Sequence, residues 1–332
     1  MSANQPVPAT NHLADGVEAA ARDLTPGPRI VTIGTFDGVH LGHQHLLQSA
    51  VRRGRELALP VLGVTFEPPP ARVLRPDHFP GRICSAAEKH DYLLASGIDR
   101  VLVLAFTRDF AQQTPEAFMA ELVRRTSPRE LWVGEAFALG KNRAGDIPRL
   151  TAIGASLGFR VVAVPRLTAE GHEISSSAIR SAILAGDAGT ARHLLGRPFR
   201  VTGEVIHGAH LGRTIGFPTA NVAPPPDLVP LADGTYASLA WLPSDEAPRS
   251  AMTYVGTRPT VNSGVRLVET HLLDFDGDLY GQMLRVDVLE RLRADAVFDG
   301  LEAMVAQLRR DEANARAVLA RVAQSERAIS RR

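Results

Sequence analysis

Short unbroken apolar runs alternate with stretches of helical period through the first half of the chain. Residues 30–33, 61–66, 101–104, 131–133 and 161–164 are apolar runs of the length expected of buried strands. Between the first two, Leu47, Ala50, Val51, Gly54, Leu57 and Ala58 form one stripe on a helix starting near Leu41. Ser85 and Glu88 make a capping box that opens a helix running to about Ser96, with Gly97 as its stop. Thr114-Pro115 opens another helix, with proline at its tolerated first position, and a further one lies near 147–157. Strands that alternate with helices predict an α/β fold with a doubly wound parallel sheet. Glu67-Pro-Pro-Pro70 must leave that sheet, because proline has no N–H for a ladder.

The period then changes. Helical stretches at 178–185 and 188–195 lead into Gly196-Arg-Pro198, a natural boundary. Beyond it come alternating segments at 199–207, 235–241, 251–255, 266–275 and 279–289, with no helix between them. This pattern predicts a small antiparallel β-barrel closed by a C-terminal helix over roughly 298–325. Asp276-Gly-Asp278 reads as a hairpin turn joining the last two strands. On the first of these, Glu269 and His271 share one face, and Val268, Thr270 and Leu272 share the other. The organisation expected is a loose tail over 1–28 with a short helix around 16–23, an α/β domain over 29–195 and a barrel over 196–332.

Composition narrows the class of protein. A length of 332 residues favours two domains, and 45% hydrophobic with 22% charged residues describes a globular chain. Net charge is +1, from 37 basic and 36 acidic residues, so no global field points to nucleic acid or a membrane. The lone Cys84 excludes an internal disulfide and fits a reducing compartment. No apolar run approaches the ~18 residues of a membrane span, and residues 1–29 lack the pattern of a secretory signal. A cytoplasmic location is expected.

The chemistry gathers around glycine-bearing turns. Gly34-Thr-Phe-Asp-Gly-Val-His40-Leu-Gly-His43 joins the first strand to the first helix, where free N–H groups and a partial positive charge suit a phosphate. This string resembles the HxGH signature of the nucleotidylyltransferases, and its longer form that of the prokaryotic bifunctional riboflavin kinase/FMN adenylyltransferases (FAD synthetases). The resemblance implies that His40 and His43 stabilise the α-phosphate of ATP during adenylyl transfer, with Gly34, Thr35, Phe36, Asp37 and Gly42 also binding ATP. Ile174-Ser-Ser-Ser-Ala-Ile-Arg180 is similar to the family's SSTxIR element, with Ser177 in place of threonine. It implies a triphosphate clamp of Ser176, Ser177 and a catalytic Arg180. The loop from Gly134 to Asp146 brings Gly134, Lys141 and Arg143, which the resemblance places near FMN and nucleotide. Two positions depart from the family pattern: Pro69 stands where a histidine is usual, and Ala136 where Asn or Asp is usual.

In the barrel half, Gly208, Gly212 and Gly216 interrupt a segment otherwise read as β, with Arg213 inside it where a polyphosphate would be welcome. Phe217-Pro-Thr-Ala-Asn221 resembles the PTAN motif of riboflavin kinases, which implies Mg²⁺ ligation by Thr219 and Asn221 and ATP binding by Gly208, Gly212, Arg213 and Pro218. Glu269 matches the family's catalytic base, supported by Gly256-Thr-Arg-Pro-Thr260 and Asp276-Gly-Asp-Leu-Tyr-Gly281; Tyr254 replaces the usual Asn. The implied function is Mg-ATP-dependent phosphorylation of riboflavin to FMN, then adenylylation of FMN to FAD with release of pyrophosphate. Two alternatives stay open from sequence: a paralogue with a working kinase and an impaired or altered-substrate adenylyltransferase half, and a non-catalytic flavin- or nucleotide-sensing module. The sequence does not fix oligomeric state, and a homo-oligomer is among the options.

Overall fold

The computed structural model describes residues 24–169, 172–208, 211–257 and 266–330. The helix expected around 16–23 and residues 258–260 of the glycine-threonine motif lie outside them. The chain divides into two compact units: one running to Pro80 and again over Ala86–Ile174, the other comprising Gly81–Ser85 and the chain from Ser175 onward.

The first unit is built on five parallel strands, β1 (Arg29–Ile33), β2 (Val61–Glu67), β3 (Arg100–Ala105), β4 (Pro128–Gly134) and β5 (Arg160–Val164), in the order β3-β2-β1-β4-β5. Every residue of β1 is buried, as a central strand covered on both faces requires. Val31, Ile33, Leu62 and Leu131 pack on one side with Phe118, Met119 and Leu122 of the helix Pro115–Thr126. Ile30 and Val61 pack on the other with Leu46, Leu47 and Ala50 of the helix Leu41–Leu57. Strand order reverses between β1 and β4, so the loops leaving their carboxyl ends flank the topological switch point, where ligands of such sheets bind. A two-stranded hairpin, β6 (Thr168–Ala169) with β7 (His172–Glu173), and a short helix, Pro70–Leu74, were not foreseen. The triple proline reads as a break, yet a proline at a helix's first position loses no hydrogen bond, and Pro70 begins that helix.

The second unit carries the helices Ser176–Ala185 and Ala188–Leu195 and then a closed barrel. Its strands are β8 (Phe199–Ile206), β9 (Ala220–Ala223), β10 (Gly234–Trp241), β11 (Arg249–Thr257), β12 (Arg266–Leu272) and β13 (Met283–Ala294), all antiparallel in the order β10-β11-β12-β9-β8-β13. Inside, the hydroxyls of Ser238, Thr253 and Thr270 satisfy one another at 2.7 and 3.1 Å. Outside, Ala237, Met252 and Phe217 pack under Ala315 and Val318 of the long helix Leu301–Ser330. Asp311 of that helix is buried and receives Arg293 Nε at 2.8 Å and Gln307 Nε2 at 2.7 Å, so its charge is paired.

Two sequence expectations are corrected here. Residues 276–278 do not turn a hairpin, because β12 pairs with β11 and β9 while β13 pairs with β8 and β10. Closing the barrel requires β13 to seal the gap between β8 and β10, so residues 273–282 cross over to it and Gly281 N–H meets Val205 O at 2.9 Å. The stretch read as β around Gly212 is instead the helical turn Leu211–Thr214, followed by the short strand β9.

Gly203 shows how tightly the barrel closes. A Cβ there would fall 2.0 Å from the carbonyl oxygen of Ala223, a backbone atom with no room to give. Gly203→Ala is therefore expected to destabilise this unit by about 1–3 kcal/mol or more. Thermal unfolding of the purified variant measures this; an unchanged Tm would refute the close approach.

Candidate active sites

In the first unit, the chain leaving β1 makes a tight turn before the helix Leu41–Leu57. Phe36 and Val39 adopt left-handed backbone at φ 48° and 37°, and Gly38 takes φ 75°. The Phe36 ring lies where a side chain on Gly34 would collide with it, 2.9 Å from that Cβ position. His40 is the helix N-cap, its Nδ1 accepting the His43 N–H at 3.3 Å. An accepting Nδ1 puts the ring proton on Nε2, which makes that nitrogen of the buried His40 a donor. The His43 imidazole stacks on it, centroids 3.6 Å apart and planes 17° apart, and the Phe36 ring meets His43 edge-on at 5.3 Å. Gly42 is needed beneath this stack, since a Cβ would come within 3.2 Å of the His40 ring. Asp37 is buried in the turn; Thr35 is exposed, its carbonyl accepting from Thr65 Oγ1 at 3.2 Å.

The loop after β4 lies beside the same switch point. Gly134 has open space at its Cβ position, whereas Gly140 and Gly145 are forced by Pro115, 2.8 and 2.9 Å from their Cβ positions. Those two glycines therefore serve packing, not ligand approach. Lys141 and Arg143 are exposed cations on a single 3₁₀ turn, and Arg143 Nη2 donates to the Ala136 carbonyl at 3.2 Å. Pro69 stands at the N-cap position of the helix Pro70–Leu74 and makes no capping hydrogen bond.

The serine-arginine element falls in the second unit. Ser175, not its neighbours, is the N-cap, its Oγ accepting from Ala178 N–H at 3.2 Å. Ser176 and Ser177 occupy the first helical turn, and Arg180 is anchored through Nε to the Gly81 carbonyl at 2.8 Å.

On the barrel, register does what sequence spacing alone leaves open. Asn221 of β9 pairs directly with Glu269 of β12, which pairs directly with Tyr254 of β11. Directly opposed residues share a face with Cβ atoms about 4.5–5.5 Å apart, so the three form one row. This is the outer face, the one that also carries Met252 and His271. Asn221 and Glu269 are both buried in it. Gly208 presses on the Asn221 amide, where a Cβ would fall 2.3 Å from Nδ2, and a Cβ on Gly212 would fall 2.3 Å from Phe217 O and 3.4 Å from Thr219 Oγ1. These glycines cradle the two residues expected to bind metal. His271 is braced: Nδ1 donates to the Pro218 carbonyl at 2.7 Å, and its ring meets Phe217 at 5.3 Å. Arg213 is exposed on the helical turn. Sequence reasoning passed over the bond from Tyr254 Oη to Asp295 Oδ1 at 3.1 Å, a contact between residues forty-one positions apart with no periodic signal.

Comparison with known proteins gives a family for each half of the chain. Residues 23–178 match the family model described as FAD synthetase, and residues 195–319 match that described as riboflavin kinase. The bifunctional riboflavin kinase/FMN adenylyltransferase of Escherichia coli K12 is 40% identical over 288 residues, covering 86% of this chain and 91% of that one. Its namesake from Haemophilus influenzae is 37% identical over 288 residues, covering 86% and 93%. A crystal structure from Streptococcus pneumoniae, described as a macrolide-efflux protein, superposes with a TM-score of 0.80 at 31% identity, covering 89% of this chain and 96% of that one. No helix among the described residues is long and apolar enough to cross a membrane.

Proposed function

The chain belongs to the bifunctional riboflavin kinase/FMN adenylyltransferase family, and from that premise we propose which of its residues perform each reaction. It is a riboflavin kinase and an FMN adenylyltransferase. We assign the first activity to residues 196–332 and the second to residues 29–195, with 1–28 as a tail.

In the kinase, Glu269 accepts the proton of the ribityl 5′-hydroxyl as that oxygen attacks the γ-phosphorus of ATP and the bond to the β-phosphate oxygen breaks. Its direct pairing with Asn221 is the observation that carries this reading, because it sets a general base beside a hard-oxygen ligand on one face. Thr219 and Asn221 would hold Mg²⁺, which takes few protein oxygens and completes its shell from phosphates and water; bound there, it neutralises charge on the transferring group. Among the described residues no group of three His, Cys, Asp or Glu competes for a metal. Gly208, Gly212, Arg213 and Pro218 line the nucleotide's approach.

In the adenylyltransferase, a phosphate oxygen of FMN attacks the α-phosphorus of ATP and pyrophosphate departs, so no general base is required. Transition-state charge is the obstacle, and fixed donors lower it. His40 through Nε2–H and His43 beside it are those donors, on a turn formed by Gly34, Thr35, Phe36, Asp37 and Gly42. Lys141 and Arg143 beside Gly134 contribute further phosphate contacts.

A chromatographic time course with riboflavin, ATP and Mg²⁺ tests the whole scheme. FMN is expected first and FAD second, and chelation of Mg²⁺ by EDTA is expected to stop the kinase. FMN accumulating without FAD, even when FMN is supplied directly, would overturn the adenylyl-transfer assignments; kinase turnover undiminished by EDTA would overturn those of Thr219 and Asn221.

A further inference from the structure

Glu269 has two cross-strand neighbours, and they differ in kind. Asn221 on β9 is polar and is one of the residues that would hold the metal, while Tyr254 on β11 offers an aromatic ring. An in-line displacement sets the acceptor opposite the leaving group. With the nucleotide approaching from the β9 side and the acceptor oxygen at Glu269, the body of the acceptor extends toward β11. We propose that Tyr254 is a specificity-determining residue of the kinase, its ring forming the surface on which the flat, aromatic part of the acceptor rests. The proposal rests on the roles given above to Glu269 and Asn221.

The ring is held in place before any substrate arrives. Its hydroxyl donates to Asp295 Oδ1 at 3.1 Å, and the same carboxylate oxygen takes the Ala296 N–H at 2.9 Å. The ring runs along β11 above Gly256, where a Cβ would fall 2.2 Å from the hydroxyl oxygen, so only glycine lets it lie there. Burial first, and then Asp295, push the hydroxyl up to about 12, which keeps it a donor to that carboxylate through the neutral range. Tyr254 is half-buried, so part of it faces outward. A preorganised aromatic side chain next to the base is suited to a planar ring system, because offset stacking adds binding without new hydrogen bonds.

The rival account is that Tyr254 only pins β11 to the segment after β13. Tyr254→Asn, the residue usual in the family at this position, removes the ring; Tyr254→Phe keeps it and removes the hydroxyl. We expect Tyr254→Asn to raise KM for riboflavin about tenfold, the scale of one lost stacking contact, with kcat and KM for ATP within about twofold. Tyr254→Phe is expected to recover most of that loss even if its Tm falls. A lowered Tm with unchanged riboflavin KM in Tyr254→Asn would leave only the pinning role and overturn the proposal. A fall in kcat at unchanged KM would overturn it too, since the residue would then act on the chemistry. Failure of the underlying reading shows elsewhere, as undiminished turnover in Glu269→Gln.

Discussion

Glu269→Gln is expected to lower kcat for riboflavin phosphorylation by about 10²–10⁴-fold, the range of a lost general base. The substitution keeps shape and removes the carboxylate's charge along with its ability to take up a proton, so the main effect should fall on kcat and not on KM for riboflavin or ATP. The barrel's register makes the effect specific to this residue. Glu269 sits in the middle of the row, with Asn221 on one side and Tyr254 on the other. His271 shares its face two residues on and is the obvious rival base; its Nδ1 donates to the Pro218 carbonyl at 2.7 Å, so only its Nε2 could take a proton, and Glu269→Gln separates the two. That bond makes His271 a brace for the loop that carries Thr219, so its loss should weaken ATP binding more than kcat. Adenylylation of added FMN should proceed normally in Glu269→Gln, which serves as the check on folding. Turnover within tenfold of the parent would remove Glu269 from the mechanism.

How much of this was legible in the chain depends on the range of the interaction. The parallel sheet was readable strand by strand because each strand is a compact apolar run, and the helix Ile147–Leu157 begins and ends where its Asp146 cap and Gly158 stop put it. The histidine turn was equally local, since strand, glycines and helix start are contiguous. The barrel's pairing was not. The short β9 is masked by the prolines and glycines around it, and without β9 the natural partner for β12 is the next strand in sequence. That is why a hairpin at 276–278 looked right and was wrong. Closure is a property of all six strands together and leaves no mark on any one of them. The same gap hid the adjacency of Asn221, Glu269 and Tyr254, which exists only once register is known. Glycines are ambiguous in a different way. In the loop after β4, Gly140 and Gly145 look like room for a ligand, but Pro115 is what fills the space.

The adenylyltransferase half is tested most sharply by His40→Asn. We give His40 two jobs: its Nδ1 caps the helix Leu41–Leu57 by accepting the His43 N–H, and its Nε2–H is the proposed phosphate donor. Alanine would remove both, and loss of the cap alone costs about 0.5–2 kcal/mol. Asparagine is among the best N-caps, so its side-chain oxygen can keep the helix start while the imidazole is lost. The expected result is a fall in FAD formation from FMN and ATP of about 10²–10³-fold, the effect of removing one fixed donor from a charged transition state, with a small change in Tm. The stacked His43 ring, 3.6 Å away, loses its partner, so part of this fall measures its disordering. His43→Asn reports that share separately: it leaves the cap acceptor on His40 and the backbone N–H that bonds to it. If the two histidines act as one unit, each single variant should cost nearly as much as the double, because neither donor works without the other. If they act independently, the losses should multiply. Phosphorylation of riboflavin is carried by the barrel and is expected to be unchanged in all three. FAD formation within a few-fold of the parent in His40→Asn would show that the turn binds nucleotide through its backbone alone and that the imidazole contributes nothing to the chemical step.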